Sequence, residues 1–262
     1  TQSLPEVSLF SQELRLAGTA SNLFQGLDWT VGAYYAEEDI EVLNEFYWGQ
    51  QGVITSNAKA YGAAFKQSGE TVAVFAHGIL NLTDRLSLTA GLRYTEDEKD
   101  GSLRNEHPLA AVPFPPFEIP AVFPLPVVHD YDADTDDNDT TGTLSLQYNW
   151  TDDVMTYVGY STGFKSGGIS MTRDAAGPLL GFTPAGPICP FPAVDPTFKK
   201  ETAESIEAGV KSTLLDGSIR LNAATWLTLF DDLQVQVLNP EGNFAVTNVK
   251  GAESYVVEVD GD

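Results

Sequence analysis

Hydrophobic and polar residues alternate along residues 86–95. The even-numbered residues are mostly apolar: Leu86, Leu88, Ala90, Leu92 and Tyr94. The odd-numbered residues between them are small or polar: Ser87, Thr89, Gly91, Arg93 and Thr95. A period of two predicts a β-strand with one apolar face and one polar face. Soluble sheets share this pattern, so strand lengths and connections must decide which face is inside.

The same alternation recurs in about nine segments, most of them roughly 9–13 residues long. They are residues 10–16, 27–35, 72–80, 86–95, 144–150, 154–164, 206–214, 218–236 and 244–259. Strands of soluble proteins average about 5–6 residues, whereas a tilted strand that crosses a bilayer needs about 9–11. The lengths therefore favour membrane-spanning strands.

The connections alternate between short and long. Tight corners are predicted at 83–84, 151–153 and 216–217, and long connections at 38–69, 97–140, 165–202 and 232–243. This alternation is typical of an antiparallel transmembrane β-barrel, with short periplasmic turns and long extracellular loops. We therefore predict an all-β fold whose apolar face meets lipid and whose polar face lines a lumen. On the lipid side Arg93 would cost about 2–4 kcal/mol, and the alternation places it on the other side.

Aromatic residues lie toward the ends of the predicted strands. Trp29, Tyr148 and Trp150 lie near short turns, and Tyr35, Tyr94, Phe164 and Phe230 lie near long connections. Aromatic girdles at both membrane interfaces have this arrangement.

Composition and charge exclude several classes of function. Charged residues make up 19% and the net charge is −23, so no basic surface is available for nucleic acid. The longest apolar stretch, residues 109–128, is too rich in proline for a membrane-spanning helix. Cys189 is the single cysteine and forms no internal disulfide.

Residues that bind metals or catalyse reactions form no recognisable motif. His77, His107 and His129 are scattered without ligand spacing, and no nucleophile or phosphate-loop motif is present. The acidic run 130–139 lacks the glycine and terminal glutamate of a calcium loop, so we interpret it as a solvated loop, with divalent-ion binding as the alternative. We therefore expect no enzyme, no cofactor and no resident metal.

Several segments resemble a known family, the TonB-dependent outer-membrane receptors, in the order that the family has them. They are FSQELRL at 10–16, GLRYT at 91–95, GYSTGFKSGG at 159–168, ETAESIEAGVK at 201–211, LNAA at 221–224 and DDLQV at 231–235, and Asn248 stands where the family often has an asparagine before the next strand. The resemblance implies a barrel of about 22 strands around a plug. It also implies energy-coupled import of a scarce, bulky solute across a Gram-negative outer membrane.

The resemblance further implies the partners: outer-membrane lipid, a TonB-type energy-coupling complex reached through the plug, and a solute such as an iron–siderophore complex, cobalamin or an oligosaccharide. Residues 1–262 contain no segment that resembles the plug and only about nine or ten strands. We therefore interpret the whole chain as a partial barrel domain without the plug.

The candidate functional residues are polar side chains of the lumen wall and aromatic side chains of a long loop. The predicted lumen-facing charges are Arg15, Arg93, Lys165, Glu207 and Lys211, and the predicted contacts to a bulky ligand are Phe114, Phe117 and Phe123. Two alternatives share much of the pattern. A passive porin-like channel has the same strands and loop asymmetry, and a soluble β-rich binding or adhesion module would cover the apolar faces with a second sheet.

Overall fold

The computed structural model describes residues 2–47, 59–106, 113–114, 117–118, 131–170, 181–183, 186–188, 195–238 and 244–261. All regular structure in these residues is β. The strands are β1 (Gln2–Ala20), β2 (Leu27–Tyr47), β3 (Lys59–Asn81), β4 (Leu86–Glu106), β5 (Pro113–Phe114), β6 (Phe117–Glu118), β7 (Tyr131–Asn149), β8 (Val154–Lys165), β9 (Gly168–Ile169), β10 (Gly181–Thr183), β11 (Gly186–Ile188), β12 (Thr197–Phe198), β13 (Glu201–Leu214), β14 (Ile219–Asp231), β15 (Leu233–Leu238), β16 (Phe244–Val249) and β17 (Ala252–Gly261). None of the described residues forms a helix long and apolar enough to cross a membrane.

Nine strands form one antiparallel sheet in the order β1-β2-β3-β4-β7-β8-β13-β14-β17. Neighbours in the sheet follow one another along the chain, apart from the short pairs β5–β6, β9–β12, β10–β11 and β15–β16. The sheet is open, with β1 and β17 as its edge strands. This is the predicted meander of a partial barrel, and the predicted tight turns all lie at one end of it, which we call the short-turn end.

Several strands are longer than the alternation predicted. Strands β1, β2, β3, β4 and β7 have 19, 21, 23, 21 and 19 residues. The predicted loops 38–69 and 97–140 were therefore wrong in part, because residues 38–47, 59–69, 97–106 and 131–140 belong to strands. The interpretation of 130–139 as a solvated loop was also wrong, since β7 begins at Tyr131.

The register assigns every side chain of the sheet to one of two faces, because residues paired across strands share a face. We call the face that carries Leu88, Leu92 and Leu144 the outer face, and the face that carries Arg93 and Thr143 the inner face. On the outer face Leu88 pairs with Leu146, and Leu146 with Val158. Beyond Val158, the same row continues through Ala208 and Thr225 to Val257.

The outer face carries a continuous band of exposed apolar side chains. Leu14, Leu92, Leu144, Ile206 and Tyr255 are 69%, 65%, 53%, 52% and 71% exposed. No second layer covers them within the described residues, where the hydrophobic core is a small cluster on the other face. Water would disfavour so large an apolar surface, so the band requires a lipid environment. Along β4 the band runs from Leu86 to Tyr94, which is about 27 Å of strand.

The band ends abruptly toward the long connections. Beyond Tyr35, Val72 and Tyr94, the outer face carries one row of four directly paired carboxylates: Glu37, Glu70, Glu98 and Asp136. Carboxylates do not lie in hydrocarbon, so this row places the membrane boundary near Tyr94. Beyond this boundary β4 and β7 pair from Thr95 to Leu103, and β2 and β3 continue beside them, so the sheet extends past the membrane.

The hydrophobic core lies on the inner face of this extension. Val42, Phe65, Leu103 and Tyr131 form one cross-strand row, and Ile169 packs against it. Past the boundary the outer face is therefore acidic, whereas the inner face carries polar residues next to the boundary and this apolar row farther from the membrane.

The predicted aromatic girdle holds except at one residue. Tyr148 and Trp150 contact each other near the short-turn end, with ring centroids 4.7 Å apart. Trp29, Tyr35, Tyr94 and Phe164 lie on the outer face by register. Phe230 does not, because it pairs with Ala203 on the inner face.

Candidate functional site on the inner face

The five charged residues predicted to face the lumen all lie on the inner face of the sheet. Arg15 pairs with Gly32, Gly32 with Phe75 and Phe75 with Arg93, so the two arginines share one row. Glu207 pairs with Gly159, and Lys211 pairs with Met155 and Asn222. Lys165 pairs with Glu201 at the other end of β8. Their functional roles remain predictions.

Arg93 is held by aromatic rings on the inner face, one residue before Tyr94 at the membrane boundary. Its guanidinium carbon lies 5.3 Å from the Tyr34 ring centroid and 5.7 Å from that of Phe75, and its Nε donates to Thr95 Oγ1 at 3.1 Å. A cation over aromatic faces is stabilised while its other N–H groups stay available. The close approach of Phe75 needs Gly32, since a Cβ there would lie 2.4 Å from the Phe75 ring.

Arg15 and His77 border the same part of the wall. Arg15 forms an ion pair with Glu13 and its side chain is 68% exposed. With Arg93, Thr143 and Ser161, these residues line a shallow groove of about 420 Å³. The groove offers cationic and hydroxyl groups to a polar partner inside a barrel.

A second polar cluster lies closer to the short-turn end. Tyr157 donates its hydroxyl hydrogen to Glu207 Oε1, and Lys211 Nζ lies 5.8 Å from the Tyr157 ring centroid. The tyrosine thus joins the predicted residues Glu207 and Lys211 into one group. Glu258 and Asp260 of β17 line the same depression.

Above the membrane boundary, two short segments fold onto the inner face. We call residues 166–170 together with 195–200 the inner strap. Within it β9 pairs with β12, and Ser170 N donates to Pro196 O at 2.8 Å. Residues 167–170 are all buried. Ile169 packs on Gly101, where a Cβ would lie 2.6 Å from Ile169 Cδ1. The strap therefore covers the apolar row of Val42, Phe65, Leu103 and Tyr131 on the inner face.

Lys99 and Asp137 attach the inner strap to β4 and β7. Lys99 Nζ donates to Ser166 Oγ at 2.9 Å and to Gly167 O at 3.0 Å, and forms an ion pair with Asp97. Asp137 Oδ2 accepts from Gly167 N at 2.7 Å. The Lys99 and Asp97 side chains are only 17% and 14% exposed. Lys200 completes the attachment by donating to Asp139 Oδ2 at 2.7 Å.

Tyr131 holds the far end of the strap. Its hydroxyl donates to Ser170 O at 2.8 Å, and burial raises the pKa of Tyr131 to about 12. Because the folded pKa is above the ordinary value of 10, the neutral phenol favours the folded strap below pH 10. This contribution is lost as the pH rises through about 12. The attachment of Ser170 by Tyr131 is therefore insensitive to pH in the physiological range.

We expect Gly167→Ala to displace the inner strap. A Cβ at Gly167 would lie 2.4 Å from Phe198 O and 3.2 Å from the carbonyl carbon of Lys199, and backbone atoms cannot rotate away. The expected cost is about 1–3 kcal/mol, which overpacking typically produces. Gly163→Ala is the matched control, since nothing lies within 4 Å of its Cβ. Limited proteolysis of the two variants in detergent measures the effect, and equal cleavage near residues 166–170 would contradict it.

The strap attachment was missed by the sequence analysis. Asp137 and Asp139 belong to the acidic run. As odd-numbered residues of β7 they lie on the inner face, where they bond Gly167 and Lys200. Asp132, Asp134 and Asp136 have the other parity and lie on the outer face. Among the described residues, no group of three or more His, Cys, Asp or Glu residues could hold a metal ion.

Other predicted residues lie in the long connections. The backbones of Phe114 and Phe117 pair in the β5–β6 hairpin. Phe123, Cys189, His107 and His129 lie outside the described residues.

Comparison with known proteins identifies the family. Residues 5–262 match the family model described as TonB dependent receptor-like, beta-barrel. The chain belongs to this family. The sequence resemblance is thereby confirmed, and within the TonB-dependent receptor fold the inner face is the barrel interior and the short turns are periplasmic.

Three solved receptor structures share the fold at low sequence identity. The ferric yersiniabactin uptake receptor of Yersinia pestis has a TM-score of 0.69 at 19% identity, covering 99% of this chain and 33% of its own. The siderophore receptor PiuA of Acinetobacter baumannii has a TM-score of 0.64 at 18% identity, with 99% and 36% covered. The ferric-catecholate import receptor Fiu of E. coli K12 in its closed form has a TM-score of 0.60 at 17% identity, with 98% and 36% covered. The chain spans about a third of each of these structures.

Proposed function

We propose that this chain forms part of the barrel wall of a Gram-negative outer-membrane receptor that imports an iron–siderophore complex by energy-coupled transport. The observation that carries the proposal is the family match over residues 5–262, because passive channels share the exposed apolar band but not the family. The similar solved structures are described as receptors for ferric yersiniabactin, ferric catecholates and siderophores, which supports an iron chelate as the cargo.

The open sheet supports a larger barrel. An unpaired backbone group in hydrocarbon costs several kcal/mol, and β1 and β17 each present such an edge along the apolar band. We propose that further strands of the same receptor pair with both edges. The chain is then a partial barrel domain, and the plug lies outside residues 1–262.

The inner wall supplies polar groups for contact with a plug. We propose that Arg15, Arg93, Glu207 and Lys211 contact the plug, while Lys165 lies at the level of the inner strap. The aromatic residues Phe114, Phe117 and Phe123 are proposed to contact the cargo at the extracellular entrance. The plug in turn connects the barrel to a TonB-type energy-coupling complex. Nothing in this arrangement calls for catalysis by the chain.

We expect deletion of the gene for the complete receptor to abolish uptake of radioactive iron from one siderophore class in iron-starved cells. Energy-coupled import predicts the same loss after a protonophore or after deletion of the TonB-type energiser, and restoration by the plasmid-borne receptor. Uptake that persists with the protonophore would indicate a passive channel instead. Loss of cobalamin or oligosaccharide uptake with normal iron uptake would assign a different cargo.

A further inference from the structure

Two carboxamide side chains join the extracellular hairpin β15–β16 to the inner strap. Gln234 and Asn248 are cross-strand partners at the base of this hairpin. Both side chains reach out of the hairpin to the backbone of the other connection, at Ser166 and Lys199. These residues are far apart in sequence, and backbone pairing does not connect them.

The side chain of Asn248 makes three hydrogen bonds to the backbone of Lys199 and Asp232. Its Oδ1 accepts from Lys199 N at 2.8 Å, and its Nδ2 donates to Lys199 O at 2.9 Å and to Asp232 O at 2.7 Å. Only this orientation of the amide satisfies all three, since a flipped amide would set oxygen against two carbonyls. Asp232 has a left-handed φ of 51°, so the chain is sharply turned where Asn248 holds it.

Gln234 holds both ends of the strap. Its Nε2 donates to Ser166 O at 2.9 Å and to Lys199 O at 3.1 Å, and its backbone N donates to Glu201 Oε2 at 2.7 Å. Ser166 begins the first segment of the strap, and Lys199 lies near the end of the second. A single side chain therefore fixes the distance between the two segments that carry β9 and β12.

The strap transmits this constraint to the inner wall. Lys199 directly follows β12, β12 pairs with β9, and β9 contains Ile169, which completes the apolar row. At the other end, Ser170 is held by Tyr131. The contacts thus run without a break from the hairpin to the wall.

We infer that Gln234 and Asn248 are positioning residues that make the hairpin β15–β16 and the inner strap one cooperative unit. The unit sets Ile169 against Val42, Phe65 and Leu103 and so fixes the shape of the extracellular entrance. The role of this entrance in cargo passage rests on the proposed function. The cooperative opening of the hairpin and the strap does not depend on any cargo. The two extracellular connections open together and not separately.

Hydrogen exchange by mass spectrometry on the complete receptor in detergent micelles tests the inference. Asn248→Ala is expected to raise exchange about 10- to 100-fold. The exchange rate should rise by a similar factor in four segments, because they open as one unit: residues 166–170, 195–200, 233–238 and 244–249. Gln234→Ala should act in the same way. Asn149→Ala and Gln147→Ala are the matched controls, since these residues bond each other at the periplasmic end and should leave the unit unchanged.

The reciprocal experiment uses the far end of the strap. Tyr131→Phe removes only the hydrogen bond to Ser170 O and touches neither carboxamide. One cooperative unit predicts a rise of several-fold in residues 233–238 and 244–249 as well as in the strap. A rise confined to residues 166–170 would overturn the inference, as would an effect of Asn248→Ala confined to Lys199 and the hairpin. Neither result would bear on iron uptake, so the two proposals fail separately.

Discussion

Leu144→Arg is expected to prevent stable insertion of the receptor in the outer membrane. Leu144 lies on the outer face between Ala90 and Tyr160, within the apolar band, and is 53% exposed. Lipid must cover it, and an arginine on the lipid face near the middle of the bilayer costs about 2–4 kcal/mol. The measurement is the amount of heat-modifiable receptor in isolated outer membranes, with refolding into lipid vesicles as the quantitative assay.

Thr143→Arg is the matched control for this substitution. Thr143 is the preceding residue, and its side chain lies on the inner face opposite Gly91 and Ser161. The same charge should be tolerated there, because the barrel interior is polar and the neighbouring wall already carries Arg93. If both variants insert equally well, or if Thr143→Arg is the more damaging, the assignment of the two faces is wrong.

The assignment of faces followed from the sequence because of a strict physical rule. Successive side chains of a strand point to opposite faces, so Leu92 and Arg93 cannot share an environment. Lipid permits no charge on one face, which makes the alternation in 86–94 clean. The tight turns at 83–84 and 216–217 then fixed which strands are neighbours, and their pairing in the structure follows directly.

The extension of the strands beyond the membrane did not follow from the sequence. Past Tyr94 the outer face meets water and the inner face meets the strap, so residues 96–100 are charged on both faces. The alternation of apolar and polar residues therefore stops although the strand continues. Acidic residues are rare in strands, so the sequence predicts a loop here. Hydrogen bonding with β3 and β7 on both sides overrides this weak local preference.

The strap attachment was beyond sequence analysis for a different reason. Lys99 meets Ser166 and Gly167 across a separation of 67 and 68 residues, and no local pattern encodes that contact. The resemblance to the family did include residues 166–168 and Asn248, but it gave them no partners. The register of β4 against β7 is what brings Lys99, Thr135 and Asp137 to the same side.

We expect Lys99→Met to release the inner strap with a large loss of local stability. The substitution keeps the length of the side chain but leaves Asp97, which is 14% exposed, without its cation. It also removes the donor to Ser166 Oγ and Gly167 O. The two side chains are part-buried, so loss of the cation costs between the about 0–1 kcal/mol of an exposed pair and the about 3–5 kcal/mol of a buried one, and two hydrogen bonds to the strap are lost as well. Hydrogen exchange in residues 166–170 should accelerate about a hundredfold.

Lys66→Met is the matched control, because it removes the same charge from an exposed ion pair. Lys66 also lies above the membrane boundary and pairs with Glu41 at 2.9 Å, but on the outer face, where the two side chains are 61% and 50% exposed. An exposed pair contributes about 0–1 kcal/mol, so exchange in the strap should change by less than about fivefold. Similar effects of the two variants would mean that net charge, and not the part-buried contacts of Lys99, holds the strap. Both substitutions remove one positive charge from a chain with a net charge of −23, so a difference between the variants isolates the part-buried contacts of Lys99.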